Sequence, residues 1–235
     1  MSWKQFIPPR VKELIRTCIT MTIRSGPIRA ANIFKLRLMV ARAKNPVCLH
    51  LGCGPRHLPG WINIDLFPTI PMPDVLLDVE HPLMLKEGSV DYIFTEDLIE
   101  HLSLAGAKSL VRECARVLKP GGVLRIGTPD LQSFIRAYLD QSQGDLAFYK
   151  DCCGVETFAE MFNAGMRAWG HTFIYDEETL SRILKSNGLT TTRKGFNETD
   201  SDVLRGLDLR DTADGAHSMF LECTKPSPSR ILQHV

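Results

Sequence analysis

The chain has 235 residues, 44% of them hydrophobic, which is enough to bury one substantial core in a single α/β domain. Its 28 basic and 27 acidic side chains leave a formal charge of +1, which excludes the global positive field typical of nucleic-acid binding. Seven scattered cysteines with no C-x-x-C pair exclude a cysteine-based zinc site and point to a reducing compartment; no metal is expected.

Residues 1–44 carry basic side chains from Lys4 to Lys44 against the single acidic Glu13. Apolar residues recur at helical spacing at Val11, Leu14, Ile15, Cys18 and Ile19, and again at Ile33, Leu36, Val40 and Ala43, with Gly26-Pro27 between them. The spacing predicts two basic amphipathic helices, an extension that either covers the core or makes peripheral contact with an anionic surface such as a membrane. There is no signal-peptide pattern, and no stretch reaches the roughly 20 apolar residues of a membrane span. The expected location is the cytoplasm.

From Pro46 the pattern changes to short apolar runs between helical stretches, which predicts one domain over 45–225 and a tail over 226–235. VCLHLG (47–52), WINIDL (61–66), DVLLDV (74–79), VDYIFT (90–95) and GVLRIGTP (122–129) read as strands. A helical stripe from Leu104 to Leu118 precedes the fifth of them and stops at Pro120-Gly121-Gly122. A helix from Asp130 to about Gln141, a mixed insertion over 145–170 and a helix from Asp176 to Asn187-Gly188 come next. LTTTRKGF (189–196) and HSMFLECT (217–224) close the series as strands. Such alternation implies a mainly parallel sheet covered on both faces.

In open α/β sheets, ligands bind beyond the carboxyl ends of the strands. Gly52-Cys53-Gly54-Pro55 follows strand one, where the glycines let a backbone approach a ligand. Asp65 ends strand two and can accept hydrogen bonds from ribose hydroxyls. A nicotinamide dinucleotide is disfavoured because no third glycine follows and Asp65 comes too soon after Gly54 for that fingerprint. The short gap leaves space only for a turn around Arg56 to Gly60 in place of a crossover helix.

HLGCGPRHLPGWINIDL resembles the first motif of class I S-adenosylmethionine-dependent methyltransferases, and more closely a bacterial group of methyltransferases with L-G-C-G followed by P-G-W-x-N-x-D. The similarity continues in order through VDYIFTEDLIEHL, RVLKPGGVLRIGTPDL and GHTFIYDEETLSRILKSNGL, over roughly 47–190. The resemblance implies a Rossmann-like, doubly wound, seven-stranded sheet, with S-adenosylmethionine as cofactor and S-adenosylhomocysteine as product. It implies that Gly52, Cys53 and Gly54 face the methionine part, Asp65 the ribose and Asp78 the adenine amino group, with Glu96 at the methionine end. Asp97 departs from the pattern, where related sequences often have His.

Thr95-Glu96-Asp97-Leu98 lacks the Asn/Asp-Pro-Pro-aromatic motif of enzymes that methylate exocyclic amines of nucleobases. The expected acceptor is therefore a small molecule, sugar or lipid-linked glycan, modified at oxygen. His101, expected at the start of the helix after strand four, and His171 are the candidates to take a hydroxyl proton, and the insertion carrying His171 is placed to cover the acceptor. Tyr175 is expected to pack against the sheet. The competing reading is an accessory protein that keeps the sheet and binds cofactor without catalysing.

Overall fold

The computed structural model describes residues 9–210 and 217–227, with side chains from Leu14 onward. Most of the tail expected over 226–235 lies outside these residues. Seven strands, β1 (Cys48–Leu51), β2 (Ile62–Asp65), β3 (Val75–Leu76), β4 (Val90–Glu96), β5 (Leu118–Pro129), β6 (Thr190–Lys194) and β7 (Ser218–Thr224), form one sheet in the order β3-β2-β1-β4-β5-β7-β6. β7 runs antiparallel to both neighbours and the other pairs are parallel. This is the Rossmann-like class I methyltransferase fold that the resemblance implies. β1 is buried at every position, as expected of a central parallel strand with both faces covered.

The helices are α1 (Pro9–Arg24), α2 (Gly26–Arg42), α3 (Leu104–Val117), α4 (Leu131–Leu139), α5 (Gln143–Cys153), α6 (Phe158–Arg167) and α7 (Glu177–Lys185). Ser103 caps α3 by accepting from the Gly106 N–H, and the predicted stripe Ala107, Leu110, Val111, Cys114 and Val117 is buried. The mixed insertion resolves into α5 and α6. Each starts on a side-chain cap, and α6 has a full Thr157–Glu160 capping box. These two helices close a second, smaller apolar cluster around Phe134, Tyr149 and Met161.

Three expectations are corrected. α3 ends at Val117, before Pro120-Gly121-Gly122, and Leu118 already pairs with Val90. The Pro-Gly-Gly run lies inside β5: Gly121 takes φ +81° and donates to the Lys225 carbonyl, and the Lys225 N–H returns a bond to Gly122. Strand three shrinks from the six residues read as DVLLDV to Val75 and Leu76, because the chain turns at Asp78, whose carboxylate accepts from the Glu80 N–H. His101 does not start the helix after β4; it ends a 3-10 turn over Ile99–His101 that precedes α3.

α2 packs the fully buried Leu36 into the main core, with Ile33, Met39, Val40 and Ala43 beside it. Its basic residues serve local carbonyls: Arg29 donates to Pro82 and Arg37 to Met84. The far side of the sheet is tied down differently. Arg125 on β5 is fully buried and doubly paired with the buried Asp208, and it donates to the carbonyls of Glu198 and Gly195 while stacking on Phe220. One side chain thus clamps the 195–208 loop onto the sheet.

The connection from β1 to β2 has no helix, and Asn63 organises it. Its Oδ1 accepts from the Leu58 N–H at 2.9 Å and lies 3.2 Å from His50 Nδ1. Its Nδ2 donates to Leu58 O, Trp61 O and Asp74 Oδ2. Burial pushes His50 down to about 4 from its ordinary 6.5. In the unfolded chain the group binds a proton that the fold refuses, so stability is unaffected above about pH 6.5 and falls as pH drops toward 4, by roughly 3 kcal/mol in all. Melting curves of wild type and His50→Gln across that window check this. A flatter acid slope in the variant is expected, and parallel slopes would refute the assignment.

Candidate functional site

The carboxyl edge of the sheet gathers the residues singled out from sequence into two groups. In the first, the turn after β1 is lashed to the end of β2. The Gly52 and Cys53 N–H groups donate to the Ile64 carbonyl, and Gly54 N–H donates to Asp65 Oδ2 at 2.8 Å. The other Asp65 oxygen accepts from the Phe67 N–H. Gly52 has φ +70°, and a Cβ there would lie 2.9 Å from Leu98. Gly54 has φ +51° and open space where a Cβ would stand, so the backbone forms a cradle accessible to a ligand. Cys53 is buried, and its thiol is pushed up to about 12 by burial and then by Asp65. It stays protonated and offers packing rather than charge.

Glu96, the last residue of β4, joins this group through Arg56, whose guanidinium lies 3.6 Å away. Its carboxylate also accepts from the N–H groups of Leu209 and Arg210. Burial raises its pKa, and those two amides oppose the rise. Asp78 is held from another direction: Arg24 at the end of α1 donates to Oδ2, with His81 Nδ1 at 3.1 Å. Arg24 also reaches Glu80, and Arg16 stands over the Phe67 ring at 5.6 Å. α1 therefore crosses the edge of the sheet above β2 and β3, where the adenine end was expected. Sequence reading placed the acids but not their cationic partners, since nothing local in the sequence links Arg24 to Asp78 or Arg56 to Glu96.

The second group lies past β4. His101 and His171, 70 positions apart in sequence, face each other edge to face with ring centroids 5.1 Å apart. His171 Nδ1 is 3.0 Å from the Gly165 carbonyl, so that nitrogen carries the proton and Nε2 is left with a free lone pair. Burial, then the neighbouring His101, lowers the His171 pKa against the lift from Gly165, so the ring is neutral at pH 7. Trp169, at φ +58°, stacks 5.7 Å from His171, and Gly170 at φ +87° brings the turn against His101. The turn is fixed to the sheet edge by the Thr172 and Phe173 N–H groups, both donating to Glu100 O, and by the Thr172 hydroxyl donating to His101 O. Tyr175 is fully buried and stacks on Phe173, as expected of a packing residue.

Glu100 was not singled out, although it stands next to His101. Its side chain is fully buried and raised to about 8, by burial and then by Asp97. Oε2 accepts from the Thr128 hydroxyl at the end of β5, and Oε1 has no hydrogen-bond partner among the described residues. One ligand atom from each of Glu100, His101 and His171 lies within 4.8 Å of the other two. Asp97 sits at φ +52° and pairs with Arg210.

Among known proteins, residues 67–126 match the family described as Methyltransferase domain. A 72-residue stretch is 37% identical to the "Uncharacterized 37.1 kDa protein in transposon TN4556" of Streptomyces fradiae; it covers 31% of this chain and 20% of that protein, so the match spans about a fifth of the relative's length. Of solved structures, a SAM dependent methyltransferase from Archaeoglobus fulgidus is 16% identical over 89% of this chain and 99% of its own, with a TM-score of 0.48. The N-methyltransferase NodS from Bradyrhizobium japonicum, in complex with S-adenosylhomocysteine, is 17% identical over 88% and 91%, with a TM-score of 0.45. The stretch matched by the family runs from the loop after β2 into β5 and carries Asp78, Glu96, Glu100 and His101.

Proposed function

We propose that the protein is an S-adenosylmethionine-dependent methyltransferase acting at an oxygen of a small molecule, sugar or lipid-linked glycan. The observation that carries the reading is the Gly52–Gly54 turn, bonded to Asp65 and open at Gly54. Gly52, Cys53 and Gly54 would hold the methionine part, Asp65 the ribose through its remaining lone pairs, Asp78 the adenine amino group, and Glu96 the methionine end.

The bound cofactor supplies a methyl group on a positively charged sulfur. Held there, it would give that methyl to an acceptor oxygen, with the C–S electron pair remaining on sulfur. The protein's main work is alignment and exclusion of water. The hydroxyl proton must also leave, and the free Nε2 of neutral His171, backed by His101, is placed to accept it. The α5–α6 insertion carrying His171 would cover the acceptor.

Calorimetric titration with S-adenosylmethionine, S-adenosylhomocysteine and NAD tests this. Micromolar binding of both sulfur nucleotides and none of NAD is expected, with at least a tenfold loss in Asp65→Ala. Folded protein that binds neither sulfur nucleotide would sink the reading. A second reading, an accessory protein that binds without catalysing, has its own support: Asp65, Asp78 and Glu96 already hold protein partners. It predicts binding with no methyl transfer to any acceptor supplied.

A further inference from the structure

We propose that Glu100, His101 and His171 form a binding site for a divalent transition-metal ion. The three ligand atoms lie within 4.8 Å of one another, so small side-chain rotations bring them to the ~2.0–2.2 Å metal–ligand distances of imidazole and carboxylate. The Glu100 Oε1 atom is a buried carboxylate oxygen with no hydrogen-bond partner among the described residues, His101 Nε2 lying 3.9 Å away, and its side chain has no exposed surface. A native structure seldom leaves such an atom unpaired without a missing partner. A cation between it and the two rings is that partner.

The surroundings are those of a metal site. A ligating histidine characteristically gives its other ring N–H to a carbonyl or carboxylate, which fixes the tautomer and aims the free nitrogen at the ion. His171 does this with Gly165. A ligating carboxylate is in turn held by a hydrogen bond to its second oxygen, as Thr128 holds Glu100 Oε2. The turn that brings the distant His171 against His101 holds Trp169 at φ +58°, a left-handed backbone that is costly for a non-glycine residue. Two imidazoles and one carboxylate suit Zn, Fe, Mn or Co rather than the all-oxygen preference of Mg and Ca, and three protein ligands leave positions open.

Metal binding here stands on its own. Its use rests on the methyl-transfer reading: the ion would draw electron density from an acceptor hydroxyl and the proton would pass to water, so that the His171 lone pair serves as base in the metal-free protein and as ligand in the metal-bound one.

The test uses the full chain, stripped with a chelator and dialysed, then titrated with Co(II) and Zn(II). One equivalent of Co(II) bound at micromolar or tighter affinity is expected, with visible absorption of nitrogen and oxygen coordination. Glu100→Gln and His171→Ala should each weaken binding tenfold or more. Because Glu100 is buried, circular dichroism must show both variants folded, and the half-exposed His171 serves as the test if Glu100→Gln fails to fold. Absence of stoichiometric binding in wild type, or binding that His171→Ala leaves unchanged, overturns the site. S-adenosylmethionine titration of the same metal-free samples reads the cofactor site separately, so one failure is not mistaken for the other.

Discussion

Arg125→Met is expected to cost about 3–5 kcal/mol, because it strips the partner from Asp208 and leaves a carboxylate buried without a compensating charge. The Asp208 side chain is fully buried, so water cannot replace the guanidinium without opening the loop. Four further contacts go with it, to the carbonyls of Gly195 and Glu198, to the Glu222 carboxylate and to the Phe220 ring. At ~2–4 °C per kcal/mol for a chain of this size, the melting temperature should fall by roughly 6–20 °C. The loss should also reach the edge of the sheet proposed to hold the cofactor. Asp208 directly precedes Leu209 and Arg210, whose N–H groups hold Glu96. Arg125→Met with Asp208→Leu should recover part of the stability, since removing both charges costs less than stranding one. A single variant that melts within a degree or two of wild type would show that the pair does not clamp the loop.

That clamp shows where sequence reading stops. The strands around Leu49, Ile64, Ile93 and Ile126 announce themselves as apolar runs, and their alternation with helical stretches implies a mainly parallel sheet. Gly52, Gly54 and Asp65 are equally legible, because they adjoin strand ends where ligands bind. Arg125 reads as a lone charge within an apolar strand, and its partner lies 83 positions away. No periodicity encodes such a pair. The same holds for Arg24 with Asp78 and for the meeting of His101 with His171, which depends on how α5 and α6 close over the sheet. Glu100 was closer to hand: a glutamate directly before a candidate histidine, past the carboxyl end of a central strand, is itself a signal. The Pro120-Gly121-Gly122 run misled because it carries the chemistry of a helix stop, while pairing with β4 and the Lys225 backbone outweighed that local preference.

Asn63→Ala is expected to cost about 3–4 kcal/mol, because one side chain satisfies the Leu58 N–H and C=O, the Trp61 C=O and part of Asp74, and buried groups left unpaired cost ~1–3 kcal/mol each. A parallel connection usually spans a dozen or more residues with a helix. Here the Asn63 amide adds three bonds to the Gly54 to Trp61 segment, beside the turn bonds from Arg56 N–H to Cys53 O and from Trp61 N–H to Leu58 O. That accounts for Asn between Trp61 and Asp65 in a motif whose other members are already explained: a tight turn, an aromatic cover on Phe94, and a strand-end acid. The consequence passes directly to the ligand cradle, since Gly54 at one end of the segment and Asp65 at the other are bonded to each other. Denaturant melts should show the stability loss, and nucleotide titration should show binding weakened at least tenfold in protein that remains folded. Asn63→Asp should not rescue either property, because it removes the Nδ2 donors and sets a second carboxylate beside Asp74. If Asn63→Ala binds nucleotide as wild type does, the turn is shaped by its backbone alone and the Asn63 network carries no part of the site.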